Sequence, residues 1–390
     1  MHIGIVAAIV TIGVFSIVTG FSYPFLSLVL ERNGYQPGLI GLSAAMTPLG
    51  MVVSAPFILS MARTAGACRL CIFALLGIAV LSVCLSLTSS FGAWLVLRLF
   101  LGIAMNIVFV LSEAWINELA TPGNRGRLIG LYATVGALGF ATGPAILSLV
   151  GSAGWLPFAI VAATSAAVIP FIVMARDDLP EFQVNNSMGA LSFCTLAPVL
   201  LLCVGFAALF DQTVMSMLPV HLKSLGWSEA ASTQALAVLI AGNILFQVPI
   251  GWLADKLPRR HLLFGFALFV AAGSVALNAA AANLILLYLL LLLWGAAAFG
   301  MYTVALAELG HGFSGSQVLA GSCAFAFMWG VGGASGPIFA GAAMTGLGTS
   351  GLPASVGLIA AAVCLVLCIM PLVRSRQPRS QTDTNTSLPV

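Results

Sequence analysis

Four charged residues interrupt the long apolar runs of this sequence: Arg98, Glu113, Asp211 and Glu308. Placing a charge among apolar helices costs about 2.5–3.5 kcal/mol on membrane-insertion scales, so each of these residues should have a function or a partner. A buried carboxylate can take up and release a proton, and a nearby guanidinium biases that equilibrium. We therefore predict that Asp211 carries a proton and that Arg98 pairs with it and modulates its titration. The alternative is a permanent ion pair that never titrates.

Glu113 and Glu308 both lie near the ends of their apolar runs. Glu113, beside Trp115 and Asn117, is suited to binding a cation or accepting a proton; the alternative is an ion pair with Arg127 or another arginine at that end. We interpret Glu308 as structural.

The elements that must position these residues are membrane helices. Of the 390 residues, 61% are hydrophobic and 6% are charged, whereas soluble proteins have about 25% charged residues. One crossing takes about 20 apolar residues, so the length allows roughly 12 crossings. The apolar runs are continuous rather than alternating, which excludes a β-barrel. We predict an all-α membrane protein with 12 transmembrane helices in two pseudo-symmetric six-helix bundles.

Polar segments divide the apolar runs into predicted spans: 3–30, 38–62, 69–88, 92–118, 127–150, 154–175, 193–220, 229–254, 262–282, 284–309, 316–345 and 351–373. The first is too long for the core of a signal peptide. We predict an N-terminal bundle over 1–175, a cytoplasmic linker over 176–192, a C-terminal bundle over 193–374 and a disordered tail over 375–390.

The basic residues predict the orientation. With a cytoplasmic N-terminus, eleven of the 14 lie in cytoplasmic segments, Arg32 and Lys223 lie on the opposite face, and Arg98 lies inside a span. Cytoplasmic loops carry an excess of Lys and Arg. We therefore predict that both termini are cytoplasmic and that the chain resides in a bacterial inner membrane.

Enzyme and metal sites are not indicated. The sequence has no P-loop and no H-E-x-x-H motif, and its four histidines lie at span ends, so no intramembrane pair can hold a haem. Cys68 and Cys71 have the spacing of a metal-ligand pair, but no second pair completes a site. The net charge is +3, but the basic residues form no cluster larger than a loop. We therefore predict no nucleic-acid partner.

The two halves show a weak internal repeat. At an offset of 193 residues, identical residues coincide: Pro56 with Pro249, Gly102 with Gly295, Gly139 with Gly332, and Gly143-Pro144 with Gly336-Pro337. Each pair falls in the same part of corresponding spans. Parallel repeats of this kind place a substrate site between the halves, near the middle of the bilayer.

The segment 251–260, GWLADKLPRR, joins the eighth and ninth spans. It closely resembles the loop signature G-x-L-a-D-r-x-g-r-r of the major facilitator superfamily. The resemblance implies a conformational latch that steadies the outward-facing state, with Gly251 allowing close helix contact and Asp255 pairing with cations. Ala62 stands at the equivalent of that Asp in the first half, so the first-half copy is degraded. The latch residues implied here are Gly251, Asp255, Lys256, Arg259 and Arg260.

Two more elements resemble the same superfamily. Arg98 and Gly102 fit its R-x-x-x-G element, and Glu118 with Arg125-Gly126 fits its E-x6-R-G pattern. Glu118 and Arg125 are suited to pair across the turn as part of the latch, and we interpret that pair as structural.

The fifth span contains Gly130, Gly139 and Gly143-Pro144, which matches a G-x8-G-x3-G-P element often seen in antiporters of the superfamily. Glycines let helices pack closely, and a proline removes a backbone donor and bends its helix. We predict helix bends at Gly139, Gly143 and Pro144 and at Gly336 and Pro337. This element favours export over uptake.

Segments 30–35, 112–117 and 301–307 resemble one subgroup, the YcaD-like bacterial permeases. The resemblance implies a transporter whose first, fourth, seventh and tenth spans line the substrate cavity. The predicted cavity residues from these spans and the eighth are Phe21, Tyr23, Asn106, Gln212, Met215, Asn243, Gln247, Trp294 and Tyr302. For each amide, bonding to a neighbouring helix is the alternative, because buried amides need partners.

Together these features predict a secondary active transporter that moves a small molecule by alternating access. We expect proton-coupled export of a modestly polar or amphipathic compound, no cofactor beyond the proton gradient, and a monomer in the lipid bilayer. Proton-coupled uptake of a nutrient or metabolite is the first alternative, and a membrane sensor without transport is the second.

Overall fold

The computed structural model describes residues 3–121, 124–180, 193, 195–313 and 316–370. Within these ranges the chain is helical and contains no strand. Most of the predicted linker and all of the predicted disordered tail lie outside the described residues.

The first half contains eight helices. They are α1 (Ile3–Arg32), α2 (Pro37–Ser54), α3 (Ile58–Ala65), α4 (Ala67–Leu87), α5 (Phe91–Leu119), α6 (Arg125–Val150), α7 (Leu156–Ala167) and α8 (Ile169–Met174). α2 and α3 together occupy the second predicted span, and α7 and α8 the sixth. The short 3-10 helix Arg176–Asp178 follows α8.

Among its described residues, the second half has six long helices. They are α9 (Pro198–Ser224), α10 (Glu229–Lys256), α11 (Arg259–Ala280), α12 (Leu284–Gly312), α13 (Ser316–Leu347) and α14 (Gly351–Ile369). The described chain has 11 segments apolar and long enough to cross a membrane, and the last, Ala320–Ile369, runs through both α13 and α14. The predicted twelve-helix fold is thereby confirmed.

The second span differs from its expectation as one helix, because α2 stops at Ser54 and α3 starts at Ile58. Pro56 lies in this break and has no backbone N–H to continue a helix. The side-chain amide of Asn106 donates to the Met51 carbonyl (2.8 Å) and to the Ser54 hydroxyl (3.0 Å). Asn106 therefore holds the end of α2 against α5.

The repeat equivalent of this break stays helical. Pro249 lies inside the continuous helix α10. The residue at the repeat position of Asn106 is Phe299, which has no amide to bond a released helix end. Equivalent prolines therefore have different effects: the helix is broken at Pro56 and continuous at Pro249. The two sites differ in the residue at the neighbouring repeat position, which is Asn106 in the first half and Phe299 in the second.

Glycines hold the helices of each half together. A Cβ on Gly139 would lie 2.6 Å from the Gly13 carbonyl oxygen, and one on Gly143 would collide with the backbone of α1. In the second half, a Cβ on Gly336 would lie 2.5 Å from the Leu209 carbonyl oxygen of α9. The α1–α6 and α9–α13 pairs are therefore equivalent contacts at backbone distance.

A second pair of contacts repeats in the same way. Gly102 of α5 approaches the backbone of α2 at Thr47, and Gly295 of α12 approaches that of α10 at Leu239. These contacts give the glycine matches in the sequence a structural meaning, because small residues allow close helix packing in membranes.

Burial places α9 at the centre of the molecule and α6, α10 and α14 near its periphery. In the most apolar stretch of α9, 94% of the residues are buried, whereas in that of α6 the share is 22%. Large apolar side chains on peripheral helices are exposed, among them Val248 and Leu358. A surface of this kind suits lipid contact.

Candidate functional site

Charged contacts join the two halves where α1 ends. Lys223 at the end of α9 pairs with Glu31 at the end of α1. Arg32 pairs with Glu229 of α10 at 2.8 Å, and the backbone N–H of Ser152 donates to the same carboxylate. We name this the closed end, defined by Glu31, Arg32, Lys223 and Glu229.

The helices α2 and α13 also meet across the halves, through small residues. A Cβ on Gly41 would collide with the Pro337 carbonyl oxygen, and one on Gly341 would lie 2.5 Å from the Pro37 carbonyl oxygen. The backbone N–H of Gly38 donates to the Thr345 hydroxyl at 2.8 Å. The contact continues to Gly333, beside Pro48. This α2–α13 seam extends from the closed end deep into the bundle.

At the opposite end of the bundle, α6 begins and α10 ends. A Cβ on Gly126, Gly130 or Gly251 would meet no atom within 4 Å. Glu113 and Asp255 are exposed there. We name this the open end, defined by Glu113, Gly126 and Gly251. The ion pairs described between the halves lie at the closed end.

A buried polar cluster lies between these ends, and Arg98 is its cation. The Arg98 side chain is 0% exposed. Its Nε donates to the Thr47 hydroxyl at 3.4 Å and its Nη1 to the Ser43 hydroxyl at 3.2 Å, both on α2. Its Nη2 has no partner among the described residues.

Asp211 of α9 is the anion of the same cluster, with an exposure of 4%. Its Oδ2 accepts a hydrogen bond from Gln212 Nε2 at 2.9 Å. Asp211 Oδ1 and Gln212 Oε1 have no described partner. Tyr23 of α1, in the other half, is close enough to interact electrostatically with both Asp211 and Arg98.

The direct ion pair predicted between Arg98 and Asp211 does not form in the described structure, and this prediction was wrong. Arg98 lies seven residues from the start of α5 at Phe91, or about 10 Å from the closed end. Asp211 lies 13 residues from the end of α9 at Ser224, or about 20 Å from it. The two charges therefore lie at different depths, and hydroxyls of α2 bond the guanidinium instead.

Glu113 lies nearer the open end and is not paired with Arg127 or with any other described cation. Its carboxylate is close enough to interact electrostatically with Tyr132 of α6 and Tyr302 of α12. The Tyr302 ring contacts Trp329 at 5.1 Å between centroids. Glu113 and Tyr302 therefore belong to opposite halves and lie within electrostatic range of each other.

Two of the nine predicted cavity residues, Tyr23 and Gln212, belong to the buried polar cluster, and the other seven separate into two groups. Phe21, Met215 and Trp294 are almost fully buried, and Trp294 donates from Nε1 to the Val270 carbonyl at 3.0 Å within the second half. In this conformation these three are packing residues, which corrects their assignment as cavity lining. Asn106, as described above, bonds a neighbouring helix.

Asn243 and Gln247 belong to the second group, together with Tyr302. Asn243 is half-buried, Gln247 is exposed, and neither has a described hydrogen bond that would hold it to another helix. For these two amides the helix-bonding alternative is not supported. No group of three or more His, Cys, Asp and Glu residues within the described ranges is arranged to hold a metal ion.

Comparison with known proteins assigns the family. The sequence model of the Major Facilitator Superfamily matches residues 7–196 and again 200–389. The chain belongs to the Major Facilitator Superfamily. The two successive matches coincide with the two helical halves, and members of this superfamily are transporters, not enzymes.

Relatives within the superfamily confirm the resemblance to YcaD-like permeases. The uncharacterized transporter YfkF of Bacillus subtilis is 29% identical over 284 residues, which cover 70% of this chain and 72% of YfkF. YcaD of Escherichia coli is 30% identical over 259 residues, which cover 65% of this chain and 66% of YcaD.

Solved structures of the Major Facilitator Superfamily share the fold. The nucleoside transporter NupG has a TM-score of 0.76 and 15% identity, covering 94% of this chain and 98% of NupG. A D-xylose–proton symporter has a TM-score of 0.72 and 19% identity, covering 94% of this chain and 97% of the symporter. At these identities the likeness concerns the fold alone.

The loop that carries the superfamily signature is tied to the second half. Arg259 Nη1 pairs with Glu308 Oε2 at 2.9 Å, so Glu308 is structural, as interpreted from the sequence. Arg260 donates to the carbonyls of Leu367 and Cys368, both at 2.8 Å, at the end of α14. Lys256 lies 3.9 Å above the Trp252 ring.

Two expectations for this superfamily loop are not met in the present conformation. Gly251 makes no close helix contact and Asp255 is exposed. Glu118 and Arg125 form no ion pair with each other in the described part of the chain. Each of these residues lies at the open end, away from the ion pairs that join the halves.

Pro144 and Pro337 lie inside helices that remain continuous, so the bends remain a prediction for this superfamily member. Sequence reasoning missed the residues of the closed end. A signal was present, because Arg32 and Lys223 are the two basic residues assigned to that face and Glu31 and Glu229 lie close by in sequence. Ser43 and Thr47, which bond Arg98, gave no sequence signal.

Proposed function

We propose that this multi-pass membrane transporter exports a modestly polar or amphipathic small molecule in exchange for protons, by alternating access. It acts as a monomer in a bacterial inner membrane with both termini in the cytoplasm. In that orientation the closed end faces outward and the open end faces the cytoplasm.

The observation that carries the coupling proposal is the position of Asp211. This carboxylate is buried at the interface of the halves, and one of its oxygens has no described partner. An unpaired buried carboxylate favours the protonated form, whereas access to water favours the charged form. Rocking of the halves changes the access of Asp211 to water, and so links proton binding to conformation.

The coupling test begins by finding a compound. A strain that lacks the protein and one that overproduces it are compared for drug sensitivity and exported metabolites, and the responding compound is loaded into proteoliposomes. Asp211→Asn is expected to abolish transport driven by a pH gradient and to leave exchange of labelled for unlabelled compound intact. Uphill transport at the normal rate by this variant contradicts the proposal.

Asp177→Asn is the matched control, because it removes an exposed carboxylate from the 3-10 helix outside the bundle. It is expected to keep both activities. Direction is tested separately by dissipating the proton gradient in cells, which raises the cellular level of an exported compound and lowers that of an imported one.

A further inference from the structure

Glu113 is a carboxylate without a counter-charge. It is exposed at the open end, and it forms no ion pair and no side-chain hydrogen bond with any described residue. Its backbone carbonyl, not its side chain, accepts the Asn117 amide at 2.9 Å. The pairing with Arg127 considered from the sequence is absent. The negative charge therefore remains available to a ligand.

Aromatic rings from both halves lie within electrostatic range of this charge or next to such a ring. Tyr132 of α6 is held by a hydrogen bond of 2.9 Å between its hydroxyl and that of Ser112, the residue before Glu113. On the other half, Tyr302 is half-buried and meets Trp329 edge-to-face at 5.1 Å. Trp329 is also half-buried. Ring surface therefore remains accessible beside the carboxylate.

The charges nearby discriminate between ligands. An aromatic face attracts a cation through its quadrupole, and the attraction grows as water is excluded. The one basic residue inside a span, Arg98, is fully buried and bonded to hydroxyls of α2. Arg98 therefore cannot offset the repulsion between an anionic ligand and the Glu113 carboxylate. Arg125 and Arg127 are exposed at the start of α6, and neither forms an ion pair with Glu113 in the described structure.

We propose that Glu113, Tyr132, Tyr302 and Trp329 form a binding site for an organic cation that carries apolar or aromatic groups. This inference rests on the transport function proposed above and names the substrate class. A ligand here contacts α5 and α6 of one half and α12 and α13 of the other, so its occupancy depends on how far the halves are separated.

Equilibrium binding tests the site without a gradient. The purified protein in nanodiscs is titrated with labelled tetraphenylphosphonium and with the smaller benzyltrimethylammonium, and nanodiscs without protein correct for partition into lipid. We expect saturable binding of at least one cation and none of tetraphenylborate, an anion with the same shape as the first probe. No saturable binding of either cation overturns the proposal.

Variants locate the site. Glu113→Gln is expected to weaken cation binding by about tenfold or more, the loss typical of one charge-assisted contact. Tyr302→Leu should weaken it about threefold to tenfold, whereas Tyr302→Phe keeps the ring and should bind normally. Asp177→Asn removes a distant carboxylate and should have no effect. Unchanged binding by Glu113→Gln overturns the assignment.

Failure of the proton-coupling proposal can be distinguished from failure of the cation site. Asp211→Asn is expected to keep saturable cation binding, because Asp211 is not among the four residues of this site. Its affinity can shift, because Asp211 biases how far the halves are separated. If Asp211→Asn retains uphill transport while Glu113→Gln loses binding, proton coupling through Asp211 is wrong and the cation site stands.

Discussion

Two of the helix pairs that join the halves are related by the internal repeat: α2 against α13, and α10 against α6. The α2–α13 seam is made by backbone contacts at Gly41 and Gly341, and neither helix contains a charged residue. At the closed end the α6–α10 seam instead uses the Glu229 carboxylate, which binds Arg32 and the Ser152 backbone.

The polar contacts at the ends of the two seams correspond closely. Ser152 and Thr345 are separated by the repeat offset of 193 residues. Ser152 donates its backbone N–H to Glu229, whereas the Thr345 hydroxyl accepts the backbone N–H of Gly38. The two contacts therefore occupy equivalent positions in the repeat, but one has a carboxylate acceptor and the other a hydroxyl acceptor. The α2–α13 seam should therefore be sensitive to side-chain volume, and the α6–α10 seam should be sensitive to charge and to salt concentration. In both cases the property that changes is the fraction of molecules with a closed end.

Gly41→Leu is expected to have the largest effect. A side chain there collides with the Pro337 carbonyl and the Gly341 Cα, and overpacking costs about 1–3 kcal/mol or more when backbone must move. The closed end should open in most molecules. Spin-label distances between Asn33 and Ala230, both exposed at that end, measure the shift.

Gly265→Leu is the control for this substitution, because a Cβ on that helical glycine meets no atom within 4 Å. It should leave the distances unchanged. A closed end that stays closed in Gly41→Leu would show that the α2–α13 seam does not depend on its glycines.

Glu229→Gln is expected to have an intermediate effect. It removes the ion pair with Arg32 and weakens the bond from the Ser152 N–H. Hydrogen bonds to charged groups contribute about 1.5–3 kcal/mol, and the lower value applies because these side chains are partly exposed. The same spin-label distances should show a closed fraction reduced about tenfold or less.

Thr345→Val is the matched change on the other seam. It removes an acceptor for one neutral hydrogen bond, worth about 0.5–1.5 kcal/mol, so it should open the closed end less than Glu229→Gln. The reverse order would mean that the charged seam contributes less than its geometry suggests.

Salt should have the smallest effect. The Glu31–Lys223 and Arg32–Glu229 pairs are partly exposed, and such pairs contribute about 0–1 kcal/mol each. Raising the ionic strength from 0.1 M to 1 M shortens the screening length from about 10 Å to about 3 Å, so the closed fraction should fall modestly.

Lys223→Met tests the origin of the salt effect, because it removes one of the two pairs and keeps most of the side-chain volume. Its closed fraction should change less with salt than that of the unmodified protein. If the closed fraction changes equally with salt in both proteins, the salt effect does not arise from the Glu31–Lys223 pair.

The expectations from sequence were correct for features that composition or residue spacing within one helix determines. The spans were predicted to within a few residues, and the glycine matches at Gly102 and Gly139 correspond to equivalent helix contacts. The expectations failed for side-chain contacts between two helices, because such contacts depend on the relative depth and rotation of the helices. Arg98 and Asp211 are both buried, but the pairing expected between them depended on a relative depth that spacing does not encode.

The sequence by itself determined the membrane environment and the helical class, because a bilayer requires long apolar segments whose backbone groups bond within each segment. It also determined the repeat and the family, because both are recorded in residue matches and motifs along the chain. The tertiary structure alone decided which polar groups meet. It placed hydroxyls of α2 against Arg98, left Glu113 without a cation, and joined Glu31 to Lys223 across the halves. Such contacts act over a few ångströms between distant parts of the chain, so small rotations of whole helices make or break them.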